Sequence, residues 1–208
     1  MKGFIILGLS VSSVLSAQTD STLIKEIQEV SFTRRLPVSK EIINVQKDLG
    51  SKNLGQDLPI LLKNQMSVVA TSDAGNGVGY TGFRIRGSAG TSINVMLNGV
   101  PYNDSESQGT FFVNIPDMAS SASQIVIQRG VGTSSNGTAS FGASVNILTK
   151  NPDEKPYVLG QFSAGSFNTM KTSFEAGSGK FLNNLLSVSA RYSTINSDGY
   201  IDRAFSKL

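Results

Sequence analysis

Three segments after residue 157 alternate apolar and polar residues, and this pattern constrains the fold more than any other feature of the chain. Apolar residues recur at every second position within 158–164, 170–176 and 186–192, and Gly-Ser-Phe-Asn and Gly-Ser-Gly separate the segments. A period of two places successive side chains on opposite faces of a β-strand. The pattern predicts antiparallel strands, which belong either to a membrane β-barrel or to a soluble sandwich.

The N-terminus has the features of an export signal. Lys2 precedes an apolar run from Phe4 to Leu15, and Ser16-Ala17-Gln18 places small residues at its end. The run is too short to cross a bilayer as a helix, which needs about 20 residues. We therefore predict a signal peptide over 1–17. An exported chain favours the membrane barrel over the sandwich for the C-terminal strands.

The composition excludes several kinds of chemistry. The chain has no Cys and no His, so it offers no thiolate or imidazole ligand, no disulfide and no Ser-His-Asp triad. A net charge of +3 is too small to indicate nucleic-acid binding. Gly, Ser and Asn make up 66 of the 208 residues, which suits turns and short strands. We predict no catalytic residue, no metal ligand and no cofactor.

The middle of the chain reads as an α+β domain over 39–150, with a mixed β-sheet and short helices. Strands are predicted at 41–45, 67–71, 83–86, 92–97, 124–129 and 144–149. A short helix is predicted over 58–64 with Asp57 as its N-cap, and a helical turn over 116–119. Long Gly- and Ser-rich loops lie between these strands, and loops of this length are usually functional or disordered. A flexible segment over 18–38 precedes the domain, and a linker over 151–156 follows it.

Two short motifs have competing interpretations. Gly77-Val78-Gly79-Tyr80-Thr81-Gly82 fits a dinucleotide fingerprint, but a strand follows it where that fingerprint needs a helix, so a loop is favoured. Asp104 and Glu106 are two carboxylates in one polar loop. Paired carboxylates can hydrolyse glycosides or bind Ca²⁺, but nothing else in the sequence supports catalysis. We therefore expect a protein that is not an enzyme.

Five motifs occur in order along the middle of the chain: Ile85-Arg86-Gly87, Asn94 to Pro101, Asn103 to Gly109, Gln128 to Ser134 and Phe141-Gly142. Together they resemble the plug of TonB-dependent outer-membrane receptors of the Bacteroidetes type. The resemblance continues through Gly165 to Thr169 and Ser197 to Ala204, which look like the first barrel strands and an early loop. It implies a plug inside a barrel of about 22 strands.

The resemblance also implies a function and a set of site residues. The receptor would lie in the cell outer membrane, surrounded by lipid, and import a small-molecule nutrient such as a ferric chelate, driven by TonB with ExbB and ExbD. The segment that looks like the TonB box comprises Glu29, Val30, Ser31, Phe32 and Thr33. Ligand would be sensed in the apical loops at Asn76, Tyr80, Asn103, Gln108 and Asn136. A polar interface with barrel-wall carboxylates would involve Arg84, Arg86 and Arg129.

The length departs from that family. Only 52 residues follow Pro156, enough for three or four strands of about ten residues. We therefore expect 157–208 to be the incomplete start of a transmembrane barrel and the chain to be a receptor fragment. The alternative is a secreted all-β binding or adhesion module that folds on its own.

Overall fold

The computed structural model describes residues 39–131, 140–182 and 185–208. The strands in these ranges are β1 Ser39–Asn44, β2 Val68–Ser72, β3 Thr81–Ile85, β4 Ile93–Leu97, β5 Val100–Pro101, β6 Ala122–Arg129, β7 Ala143–Thr149, β8 Tyr157–Gly165, β9 Thr169–Phe181, β10 Leu186–Ser197 and β11 Ser206–Lys207. The helices are α1 Leu58–Leu61 and α2 Met118–Ser121, with a π-helical turn at Val45–Leu49 and 3₁₀ turns at Gly50–Lys52, Gly90–Ser92 and Phe112–Asn114. No helix in the described ranges is long and apolar enough to span a membrane.

A five-stranded mixed sheet organises the first part of the fold. Its strand order is β1-β6-β7-β4-β5. All neighbours run antiparallel except β4 and β7, which pair in parallel from Ile93 opposite Ala143 to Leu97 opposite Ile147. Four successive residues of β4, from Ile93 to Met96, are buried, as expected for a parallel strand covered on both faces.

The hydrophobic core joins this sheet to α1 and to the paired strands β2 and β3. Ile125 and Ile127 of β6 are fully buried in it, and Leu58 enters it from α1. Phe83 of β3 packs on Phe112, with ring centroids 5.4 Å apart. The small helices and the sheet therefore share one apolar interior, which fixes the loops that connect them.

An Asn-Gly turn joins β4 to β5. Asn98 and Gly99 both have positive φ, 52° and 84°, which is the conformation that tight hairpin turns require. The Asn98 side chain also accepts a hydrogen bond from Thr149 N at 3.0 Å and donates to Thr149 Oγ1 at 3.1 Å. The turn predicted from the dipeptide is confirmed, and its side chain also holds the end of β7.

The C-terminal strands form a separate antiparallel sheet in the order β11-β10-β9-β8. Its two faces differ in the way that the alternation predicts. Lys171 and Ser173 of β9 are buried on one face, whereas Met170 and Phe174 on the other face are exposed. The predicted fold class is confirmed: a mixed sheet with short helices, followed by antiparallel strands.

Some local predictions were wrong. The helix after Asp57 is a single turn, Leu58–Leu61, and does not reach residue 64. Asp57 occupies its N-cap position but makes no side-chain capping bond, because its Oδ2 accepts a hydrogen bond from Thr81 Oγ1 at 2.9 Å. Arg86 lies beyond the end of β3 with φ of 53°, since the chain turns there.

Candidate functional site

One buried carboxylate joins the start of α2 to the C-terminal sheet. Asp117 immediately precedes α2, has φ of 52° and is 2% exposed. Its Oδ1 accepts hydrogen bonds from Lys171 Nζ and from Ser120 Oγ, both at 2.5 Å. Its Oδ2 accepts from Arg191 Nη1 at 2.5 Å and from Ser193 Oγ at 2.8 Å. We call these five residues the Asp117 cluster.

The electrostatics of the cluster keep Asp117 charged. Burial alone raises the pKa of a carboxyl group. Here hydrogen bonds from Lys171, Ser120 and Ser193, together with the charge of Lys171, outweigh burial and hold the pKa of Asp117 below its ordinary value. The Asp117 carboxylate and the Lys171 ammonium are therefore buried together where α2 meets the C-terminal sheet, and the loss of either would leave the other buried without a counter-charge.

The register of the C-terminal sheet brings the donors together. Lys171 lies on β9, and Arg191 and Ser193 lie on β10 two positions apart, so all three point to the same face. Ser193 is directly opposite Ser173 in the ladder. Lys171 Nζ also donates to Ser120 Oγ at 2.8 Å. The polar positions of the two alternating strands thus form the buried face against α2.

Ion pairs of both polarities join the first domain to the C-terminal strands. The sequence predicts cations on the first domain, at Arg84, Arg86 and Arg129, opposite carboxylates of the strands that enclose it. In the Asp117 cluster, the carboxylate comes from the first domain and the cations come from β9 and β10. Lys150 of the first domain and Glu175 of β9 pair the other way round, at 3.2 Å. Sequence reasoning missed Lys171 and Arg191. The sequence signal that could have identified them is the presence of one cation on the polar face of each of these alternating strands.

The three predicted arginines have different surroundings. Arg129 is buried, forms an ion pair with Glu41 of β1 and donates from Nε to Met66 O at 3.0 Å. These contacts occupy Arg129 within the first domain. Arg84 and Arg86 are exposed. Contacts of these arginines with further barrel carboxylates stay a prediction.

One apical loop is attached to the end of β10. Asn76 donates from Nδ2 to Ser197 Oγ at 2.6 Å, and its Oδ1 accepts from Val78 N at 3.1 Å. Tyr200 N donates to Ala74 O at 3.0 Å. Tyr80 is 65% exposed. The loop at 73–80 therefore contacts the end of β10 through Asn76 and the loop after β10 through Ala74. Tyr80 makes no such contact through its exposed side chain in the described residues, and its role in ligand sensing stays a prediction.

Asn103 organises the second apical loop. Its Nδ2 donates to Ile93 O at 2.9 Å and to Gln108 O at 2.7 Å, and its Oδ1 accepts from Val95 N at 2.7 Å. Gln108 is exposed and has φ of 58°. The amide of Asn103 is therefore engaged in holding the loop to β4. Its role in ligand sensing stays a prediction, as does that of Gln108.

Two groups of predicted site residues lie outside the described ranges. They are the apical residue Asn136 and the TonB-box residues Glu29, Val30, Ser31, Phe32 and Thr33. The proposed signal peptide over 1–17 also lies there.

The acidic pair at Asp104 and Glu106 has a local structural use. Asp104 Oδ1 accepts hydrogen bonds from Ser107 N at 2.7 Å, Ser107 Oγ at 2.8 Å and Glu106 N at 3.1 Å. These bonds lower the pKa of Asp104, with the Ser107 backbone bond first. The Asp104 carboxylate therefore stabilises the turn formed by residues 104–107. Within the described residues, no group of three or more acidic side chains is placed to hold a metal ion.

A second buried carboxyl lies beneath the loop at 73–80. Asp57 is 2% exposed, its backbone N donates to Gly77 O at 2.8 Å, and its Oδ2 accepts from Thr81. Its Oδ1 has no hydrogen-bond partner among the described residues. Burial raises the pKa of Asp57 to about 6, although the bonds from Thr81 and Gly79 act against it. The pKa of Asp57 is therefore shifted in the opposite direction to that of Asp117, which is buried beside cations.

The fold is that of a receptor plug followed by antiparallel barrel strands, which we call the wall strands. Residues 33–144 match the family TonB-dependent Receptor Plug Domain, which is more than half of the chain. The chain belongs to this family. No curated protein matches it.

Solved structures of outer-membrane receptors share the fold. The ferripyoverdine receptor of Pseudomonas aeruginosa is 13% identical, with a TM-score of 0.58 over 77% of this chain and 20% of that chain. The siderophore receptor PirA from Acinetobacter baumannii is 18% identical, with 0.57 over 76% and 24%. The ferric yersiniabactin uptake receptor FyuA from Yersinia pestis is 16% identical, with 0.53 over 77% and 24%. The chain thus spans between a fifth and a quarter of the length of these receptors.

Proposed function

We propose that the chain supplies the plug and first wall strands of a TonB-dependent receptor that imports a scarce nutrient across the outer membrane. The plug covers 39–150 and follows a signal peptide over 1–17 and a segment with the TonB box over 18–38. A linker over 151–156 leads to wall strands over 157–208. The receptor has no enzymatic activity.

The single observation that carries this proposal is which face of the C-terminal sheet is buried. Val158, Phe162 and Phe174 are 80%, 70% and 60% exposed on one face. The opposite face presents Lys171 and Arg191 to the plug. A soluble sandwich buries its apolar face and exposes its polar one. An apolar exterior with a polar interior is the arrangement of a membrane barrel, and it argues against the secreted module.

The nutrient we propose is a ferric siderophore or a similar chelate. Receptors described as binding or importing such compounds share this fold, including the ferripyoverdine and ferric yersiniabactin receptors. The exposed side chain of Tyr80 and the exposed Gln108 lie in the apical loops where such a ligand would first meet the plug. ExbB and ExbD would supply energy through TonB.

The coupling segment we propose is Glu29 to Thr33. An extended segment can add a strand to the sheet of a partner, and backbone hydrogen bonds then carry a pulling force. Proline removes one backbone donor and cannot join such a ladder. Val30→Pro in the whole receptor is therefore expected to abolish energised uptake and leave ligand binding unchanged.

The experiment measures uptake of radiolabelled ferric chelates by cells and ligand binding by purified receptor. Ser21→Pro is the matched control, since it places the same residue in the same segment ahead of the box, and it should leave uptake unchanged. Uptake by Val30→Pro at the level of the unmodified receptor would rule out this coupling segment.

A further inference from the structure

The donors around the Asp117 carboxylate fall into two groups. Ser120 belongs to the plug, whereas Lys171, Arg191 and Ser193 belong to the wall strands. The wall strands therefore supply three donors to the carboxylate oxygens of Asp117: an ammonium at 2.5 Å, a guanidinium at 2.5 Å and a hydroxyl at 2.8 Å. Charge-assisted hydrogen bonds of this kind are the usual way in which proteins recognise a carboxylate. We call these three residues the wall donors.

The positions of the wall donors are set by the wall itself. They lie on β9 and β10, which are hydrogen-bonded neighbours from Leu186 opposite Phe181 to Asn196 opposite Met170. This ladder fixes the spacing of the three side chains without help from the plug. The plug adds a second contact to Arg191 through Ser121 Oγ at 2.6 Å.

A wall carboxylate lies opposite Arg191 and has its own partners. Glu175 is directly opposite Arg191 in the ladder. Its carboxylate accepts hydrogen bonds from Tyr157 Oη at 2.8 Å, on the adjacent strand β8, and from Lys150 Nζ at 3.2 Å. Asp117, not Glu175, therefore neutralises the wall donors. A plug that moves away takes both Asp117 and Lys150 with it. The two cations of the wall donors then face the vacated space, and Glu175, still bonded to Tyr157, is the wall carboxylate opposite Arg191.

We propose that the wall donors form a carboxylate-binding site that Asp117 occupies at rest and that a carboxylate group of the cargo occupies once the plug is displaced. The inference rests on the proposed function and narrows its substrate class to a chelate that carries a carboxylate. Asp117 acts as a tethered ligand: it shows which chemistry the site accepts, and it keeps the site closed until transport begins.

The test replaces the Asp117 side chain with a free carboxylate that is not attached to the plug. Asp117→Gly in the whole receptor removes the side chain and leaves space beside the wall donors, and Gly adopts the left-handed backbone of this position without strain. Acetate, which has the carboxylate of the lost side chain, is then added to the purified receptor in detergent at constant ionic strength. We expect a lowered Tm that acetate raises again as its concentration increases, because a ligand that binds only the folded state stabilises it.

Three controls define the result. Acetamide, which has the shape of acetate without its charge, should not raise the Tm. Asp117→Asn should not respond to acetate, because its amide fills the space. Lys171→Met combined with Asp117→Gly should respond much less than Asp117→Gly alone. If Asp117→Gly assembles poorly, the yield of folded receptor after refolding with acetate or with acetamide gives the same comparison.

Equal responses of Asp117→Gly and of the unmodified receptor to acetate would overturn the proposal, and the cluster would then be only a structural tie. The measurement needs neither TonB nor uptake. Failure of the Val30→Pro experiment would therefore leave this result unaffected, and the two inferences can fail separately.

Discussion

Lys171 and Asp117 form an ion pair of 2.5 Å in which the two side chains are only 1% and 2% exposed. The pair joins β9 of the wall to the start of α2 in the plug. Buried ions of this kind stabilise a structure weakly as a pair, yet the loss of one partner is costly, because the other stays buried and uncompensated. A substitution that removes one charge without changing the shape of the side chain should therefore lower the stability of the protein.

Asp117→Asn is expected to destabilise the receptor by about 3–5 kcal/mol, since Lys171 and Arg191 then face a neutral amide. Asn has the same shape as Asp and tolerates the left-handed backbone. The loss of stability therefore measures the effect of removing the negative charge. Urea unfolding of the purified receptor measures it. Asp202→Asn removes a carboxylate of the same type from an exposed position and is expected to have little effect. Equal losses in the two variants would contradict the role of the cluster.

Asp57 should make stability depend on pH in the direction opposite to most carboxyl groups. Its pKa in the folded protein, about 6, lies above its ordinary value of 3.8, so the folded state binds the proton more strongly than the unfolded state does. The contribution of Asp57 is most favourable below pH 3.8 and is lost as the pH rises to about 6.

Asp57→Asn imitates the protonated form at every pH. The stability of this variant relative to the unmodified receptor is therefore expected to increase as the pH rises from 3.8 to about 6, and to stay constant above that value. Free energies of unfolding measured across this range for both proteins give the difference. A difference that does not change with pH would show that Asp57 is not protonated in this range.

Asn103→Ala is expected to loosen the loop at 103–109. The substitution removes the bonds to Val95 N, Ile93 O and Gln108 O, and each buried backbone group left without a partner costs about 1–3 kcal/mol. Hydrogen exchange at Val95 N should accelerate. Gln108→Ala serves as a control because Gln108 is exposed, and its Nε2 donates only locally, to Ser105 O at 3.1 Å. Unchanged exchange at Val95 in Asn103→Ala would contradict the assignment.

Gly75→Ala tests the contact between the loop at 73–80 and Tyr200. Gly75 has φ of 73°, and a Cβ added there would lie 2.9 Å from Tyr200 Cβ. Gly87 has nearly the same φ, 77°, but a Cβ there would meet nothing within 4 Å. Both substitutions place alanine at a positive φ, which costs conformational free energy. Only Gly75→Ala also brings the new Cβ too close to Tyr200. Gly75→Ala should therefore be the less stable variant in urea unfolding, and equal stabilities would show that the loop moves freely from Tyr200.

The sequence predicts local features of this fold well and distant pairings poorly. Alternation within 157–197 indicates the strands and the division of each into an apolar and a polar face, because a period of two is visible in one segment. Asn98-Gly99 predicts its turn for the same reason. In contrast, Asp117 is 54 residues from Lys171, and Arg129 is 88 residues from Glu41. Only the folded sheets bring these pairs together, so a charge on the polar face of a strand does not reveal its partner.

The pairing of β1 with β6 has a consequence for the order of assembly as the chain emerges during synthesis. A chain that emerges N-terminus first delivers Ser39–Asn44 long before Ala122–Arg129, with which it pairs. The parallel pair of β4 and β7 waits in the same way for Ala143–Thr149. Pairings this distant in the chain form slowly and only after the intervening loop closes. The early strands therefore stay open to proteases and to holding chaperones until β7 has emerged, so the plug is completed in one late step.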